Sequence, residues 1–378
     1  MSRATLIALF LAFLGSPGFA ATYLVSPDGS GDFPTIQAAV DAAQDGDILQ
    51  LADGTFLGDG NRGIDLRGKS LTIASVGGNP DACVIDCAGY TSGIQTTMAA
   101  GAQVTLSGIT ITAGTDHGDL VWGGGAVAAW GGLLTIERCV FHDNHASSGG
   151  ALCAINTNLV LRECRFYGNV TPVGSGLHDG GAIYCWYTLA TMTDCSFGTE
   201  AVNITERGGH IFLDHSHVSL LSSTLSSGIA PEAGSGVYAD RSSLVLQGCT
   251  CWFSGIALSN GSSAELANSI ITATFDEDPA IECLDAASGA NLACCDIFGN
   301  GGGDWVGCIA SQLGVNGNLC ADARFCDPSS GSEFYLRDDS PCAPENNPEC
   351  GLIGDWPVAC GATPTEEMSW GKMKSRFR

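Results

Sequence analysis

Seven residues carry the side chains best suited to chemistry, and they recur at equivalent places in one repeated stretch of the chain. Trp130, Tyr184, Trp186, Phe212 and Tyr238 lie one or three residues after the apolar starts of glycine-led strands at Val127, Ile183, Ile211 and Val237. Asp214 and Asp240 lie three residues after Ile211 and Val237. Strand side chains alternate between faces, so if the apolar starts point inward, these seven point outward. Planar rings on a flat parallel face suit the apolar faces of sugar rings, and carboxylates suit their hydroxyls. The expected ligand is therefore a polysaccharide or a cell-surface glycan. The competing expectation is that longer loops bury the stripe.

Catalysis on the same face would draw on Asp214, Asp240, Arg207 and the loop residue His178. On neighbouring coils the two aspartates would lie closer than the separation of about 5–9.5 Å that glycosidase mechanisms require. They would instead share a proton or, with loop oxygens, hold calcium, the one cofactor the sequence offers. Asp214-His215-Ser216-His217 contains serine-hydrolase residue types. Neighbours on a strand face opposite ways, so Ser216 and His215 cannot work side by side, and a triad is rejected. The scattered loop histidines His117, His142, His145 and His178 read as solvated side chains, and no metal ligand set is assigned.

These residues need a scaffold that repeats. From Gly149 to Asn169 the chain reads GGALCAINTNLVLRECRFYGN, and from Gly180 to Glu200 it reads GGAIYCWYTLATMTDCSFGTE. Nine anchors align: Val76, Ile109, Cys139, Cys164, Cys195, Ser223, Cys249, Ser269 and Cys295. Apolar residues stand three before each anchor and, from Ile109 on, two after it, with a two-residue corner between the two strands. Gly, Asn and Asp recur at the second corner place, where a left-handed backbone is tolerated. A third strand, led by Val127, Leu152, Ile183, Ile211 and Val237, completes a repeat of about 27 residues. The fold class is all-β: a single-stranded right-handed parallel β-helix of about nine to ten coils. All length variation in the central coils falls beside the glycine-led strand, where loops contribute His117, Asp119, Trp122, Asp179 and Arg207.

The flanks divide the chain. Residues 1–21 read as a secretory signal, with Arg3, the apolar run Leu6–Leu14 and a small-residue end at Ala20. Residues 22–307 form the β-helix, opened by a capping helix over Thr35–Ala43 with Ile36, Ala39, Val40 and Ala43 on one side. Residues 308–361 form a Cys-rich C-terminal cap, and 362–378 a basic amphipathic tail read by export or attachment machinery. The apolar run of the signal is too short to span a bilayer, and no later run is longer. The chain is expected to be secreted or held at the cell surface.

Eighteen cysteines suit that oxidising destination. Cys308, Cys320, Cys326, Cys342, Cys350 and Cys360 are expected to staple the cap, with pairings left open, and Cys83 and Cys87 to close a small loop. Cys139, Cys164 and Cys195 share one inward position and read as stacked free thiols. Zinc is not expected in the cap, which has no histidine and no paired CxxC. With 40 acids against 15 bases and a net charge of −25, the surface excludes nucleic acid and disfavours any polyanion that no cation bridges.

The opening Asp28-Gly29-Ser30-Gly31-Asp32-Phe33 and the coils resemble the pectin-lyase-like superfamily. The Gly149-Gly150-Ala151-Leu152 and Phe166-Tyr167-Gly168-Asn169 elements are similar to repeats of chlamydial-type polymorphic outer-membrane proteins. The resemblance covers about residues 22–300 and implies the parallel β-helix. That fold hosts lyases, hydrolases, esterases and non-catalytic adhesins. The arginine-base motif of pectate lyases and the paired aspartates of polygalacturonases have no counterpart here. The expected function is an exported, non-catalytic β-helix that binds carbohydrate or cell-surface partners. A polysaccharide lyase or glycoside hydrolase on the same face is the first alternative, and a structural surface rod the second.

Overall fold

The computed structural model describes residues 20–116, 123–172, 179–275, 277–327 and 334–361. The signal segment, nearly all of it, and the tail 362–378 lie outside these residues, as do His117, Asp119, Trp122 and His178.

The chain winds into a parallel β-helix whose three faces are sheets of 11, 10 and 9 strands. Its roughly 12 turns exceed the nine to ten expected. The first sheet runs from Thr22–Val25 to Gly289–Ala293, and the third, which carries the glycine-led strands, from Ile64–Asp65 to Ile281–Cys283. Each strand pairs with its equivalent one turn away, so identical repeat positions stack. Ile136, Leu161, Met192, Leu220, Leu246, Leu266 and Leu292 form one such column in strict register. All seven are buried. A register slip would send the whole column to solvent, and each fully buried aliphatic side chain contributes about 1.5–3 kcal/mol.

Left-handed residues make the corners. Gly108, Asp194, Gly248 and Asn268 fill one corner at φ of 65, 53, 63 and 49°, and Arg138, Glu163 and Ser222 adopt the same conformation there. Val76 departs from the pattern. It is 57% exposed, because Gly77-Gly78-Asn79-Pro80 opens a wider turn in that early coil.

Inside, Phe141, Phe166 and Phe197 stack at 5.0 Å spacing. The asparagines that follow them also stack. Asn144 donates to Ile111 O and Asn169 Oδ1, Asn169 to Phe141 O and Asn203 Oδ1, and Asn203 to Phe166 O. This ladder gives buried carbonyls of the second-sheet strands a side-chain donor. It ends on the buried imidazole of His210, whose pKa burial lowers to about 3.

The helix Ile36–Ala42 covers the first coils as expected, with the Thr35 hydroxyl accepting from Ala38 N. Lys69 Nζ donates to the carbonyls of Val40, Asp41 and Ala43 at the other end. At the far end of the β-helix Trp305 and the 3-10 helix Gly307–Gln312 pack on the last turn. The following segment folds back along the outside of the second sheet. There Trp252, Phe253 and Ile270 meet Phe325, Phe334 and Leu336. Asp355 accepts from Thr224 Oγ1 at 2.8 Å, and Asn268 Nδ2 donates to Cys350 O and Leu352 O.

The disulfides correct two expectations. Cys326 pairs with Cys360, but Cys308 pairs with Cys283 and Cys350 with Cys294, so two staples reach back to coil cysteines. Cys320 and Cys342 are free thiols. Cys83 and Cys87 are also free and buried. They lie at the two ends of one inward row along an extended strand, roughly 13 Å apart by strand rise, while a disulfide needs Cα atoms about 4.4–6.8 Å apart. Cys139, Cys164 and Cys195 are buried free thiols.

Candidate functional site

The expected stripe forms, but the coil face divides it into two rows of different character. In the first row Tyr184, Phe212 and Tyr238 pair in register on successive turns of the third sheet. Their rings stack at 5.6 and 5.1 Å with interplanar angles of 5 and 3°. They project from the coil yet are only 3, 5 and 6% exposed. Cys153 and Ala257 continue the row at either end, and Ala233 packs against it. The Arg207 guanidinium lies over Phe212 and Tyr238, 5.2 and 5.3 Å from the ring centroids. Arg207 Nε donates to Asp179 Oδ1 at 3.1 Å, and its guanidinium also approaches Glu232 at 3.7 Å. Burial pushes the Asp179 carboxyl up to about 6, against the opposing pull of Arg207. Arg207 lies across Phe212 and Tyr238, and the three buried rings present little face to a ligand.

The second row is half-buried, its tryptophans packed against the edge of the first. Trp186, Asp214 and Asp240 follow one another in register, and Trp130 lies further along the same row beyond Ile155. Trp130 and Trp186 are partly exposed. Beside this row runs a column that strand alternation does not foresee. Tyr187, His215, Arg241 and Asn260 have φ of 49, 49, 47 and 55°. A left-handed residue reverses the alternation, so each of these side chains emerges beside the outward residue that precedes it.

The result is one continuous corner. Tyr187, 51% exposed, stacks on His215 at 4.6 Å, and Trp186 leans on Tyr187 at 5.4 Å and 55°. His215 Nδ1 lies 2.5 Å from Asp214 Oδ1. Arg241 Nη2 donates to Asp240 Oδ2 at 2.6 Å and sits 3.7 Å from Asp214 Oδ1. Asn260 Nδ2 donates to Asp240 Oδ1 at 2.6 Å, and its backbone N–H donates to Asp285 Oδ2. An exposed ring edge therefore adjoins donors and acceptors already held in place.

These contacts bear on the chemical alternatives. Ser216 points inward and donates to Cys185 O and Asp214 O, away from His215, so no serine triad assembles. The carboxylates of Asp214 and Asp240 share a guanidinium and are further held by His215 and Asn260. That donor set does not fit calcium, which would have to displace N–H donors from both carboxylates. Among the described residues no group of three or more His, Cys, Asp or Glu is arranged for a metal ion. His142 contacts Asp143 Oδ2 at 2.8 Å and stacks on Tyr167. Tyr187, Arg241 and Asn260 were missed by sequence reading. The clue was present in the shared offset of Asn156, Tyr187, His215, Arg241 and Asn260, one place after the outward row, where two asparagines mark a left-handed corner.

No family model and no curated protein matches this chain. Solved structures similar to it include the pectate lyase Pel9A, with a TM-score of 0.49 and 14% identity over 90% of this chain and 97% of that one. A pectin methylesterase from carrot has a TM-score of 0.37 and 12% identity over 81% and 90% of the two chains. The PL6 alginate lyase AlyGC has a TM-score of 0.33 and 12% identity over 90% and 58%. The fold rests on the three strand ladders, and the site on this chain's own side chains.

Proposed function

We propose that the protein is an exported β-helix that binds carbohydrate at the corner of Trp186, Tyr187, Asp214, His215, Asp240, Arg241 and Asn260, without cleaving it. The observation that carries this reading is the exposed Tyr187 ring, stacked on His215 and flanked by hydrogen-bonding groups held by one another. A rigid ring and preset polar groups reduce the ordering cost of binding a flexible polymer. Export is supported by the signal-like start and by the disulfides. Cleavage is disfavoured because Asp214 and Asp240 share the Arg241 guanidinium from adjacent turns, without the separation of about 5–9.5 Å that paired glycosidase carboxylates keep. The lyase or hydrolase alternative keeps one observation, the Asp179 carboxyl raised to about 6 beside Arg207. That carboxyl is buried, which places it out of reach of a polymer chain.

The test is a glycan array probed with the mature protein and with Tyr187→Asn, which suits the left-handed backbone. Binding weakened about tenfold in the variant is expected. Equal binding by both proteins would refute the corner as the site, and release of oligosaccharide products would restore the enzyme reading.

A further inference from the structure

The charge around the corner bears on which carbohydrate it takes. Among the described residues two guanidinium groups, Arg207 and Arg241, serve this face, and the charge of each is balanced locally. Arg207 pairs with Asp179 and Glu232, and Arg241 with Asp240 and Asp214. Glu282 continues the outward row next to Ala257, and Asp285 holds the Asn260 backbone, so carboxylates outnumber cations here. Lys69 is committed to carbonyls of the capping helix and Arg165 to Asp81 and Glu200. Like charges within about 8 Å are only partly screened at physiological ionic strength, and a polyanion would bring one to every sugar.

The hydrogen-bonding inventory points the same way. Carboxylates accept only, and adjacent hydroxyls of a neutral sugar can donate to them as a pair. Arg241 and Asn260 supply the complementary N–H donors. Among the described residues, nothing in the corner offers an uncompensated cation to a sugar carboxylate. A calcium bridge to a uronate would need the oxygens that Arg241 and Asn260 already occupy.

Resting on the carbohydrate-binding reading, we infer that the ligand is a neutral, hydroxyl-rich glycan and not a polyuronate. The discriminating experiment is affinity electrophoresis of the mature protein in native gels. The neutral probes are xylan, mannan, galactan and a β-glucan; the acidic ones are polygalacturonate and alginate. Each is run with chelator and again with calcium. Retardation by at least one neutral polymer is expected, weakened about tenfold or more in Tyr187→Asn, with no retardation by either polyuronate. Polyuronate binding that Tyr187→Asn abolishes, with or without calcium, would overturn the inference and leave the binding site standing. Retardation by no polymer at all would overturn the inference together with the reading beneath it.

Discussion

Two aromatic rows run along the same face of the β-helix, and they do opposite things. Tyr184, Phe212 and Tyr238 stack on one another and are buried, with Arg207 over the last two. Tyr187, one corner away, is half exposed, and the half-buried Trp186 leans on it. Both rows point out of the coil. Outward and accessible are therefore separate properties in a solenoid, because a loop can build a second, external core over a flat sheet. The buried row behaves as packing, and the half-exposed Tyr187 is where a ligand can reach a ring.

The contrast predicts a separation of stability from binding. The largest effect is expected from Phe212→Ala, which should cost about 3–5 kcal/mol of unfolding free energy through the cavity it leaves. Glycan affinity measured on the folded fraction should stay unchanged. A loss of affinity without loss of stability would break the contrast.

A second effect comes from pH. Burial raises the Asp179 pKa to about 6 in the folded state, above its ordinary value of 3.8. The folded state then holds the proton more tightly, so this group's contribution to stability is greatest below pH 4. It declines as pH rises toward about 6 and is level beyond. The advantage of wild type over Asp179→Asn should thus shrink by about 3 kcal/mol across that window. Urea midpoints taken at several pH values would show it, and a constant difference would contradict the burial account.

Third, Tyr187→Asn should leave stability within about 0.5 kcal/mol and weaken glycan binding about tenfold, near 1.4 kcal/mol. The smallest change is expected from Arg241→Gln, about threefold in affinity, since its ion pairs are half exposed. Isothermal titration resolves both, and a larger effect for Arg241→Gln than for Tyr187→Asn would move the centre of the site to the charged residues.

The repeat was legible because stacking enforces it. Each inward position meets its copy one turn away, so Ile136, Leu161 and Met192 must agree in character, and that agreement is written in the chain. The outward residues Trp130, Tyr184, Trp186, Phe212 and Tyr238 could likewise be placed by alternation. Their covering could not, since Arg207 and Asp179 come from loops of unequal length with no repeating spacing. Tyr187 was missed for another reason. A period-two rule fails at a left-handed residue, where two neighbours emerge on one side. The disulfides from Cys283 and Cys294 were hidden because those cysteines sit among coil residues that resemble the free ladder.

The same staples give the rod a direction of failure. In a solenoid each turn holds only its neighbours, so unravelling begins at whichever end detaches more easily. At one end the last turns are cross-linked through Cys283–Cys308 and Cys294–Cys350. At the other the closure is a seven-residue helix held by packing and by hydrogen bonds such as those from Lys69. Under oxidising conditions the protein should peel from its N-terminal coils toward a covalent stop, and proteases should shorten it from that side while the corner at Tyr187 survives.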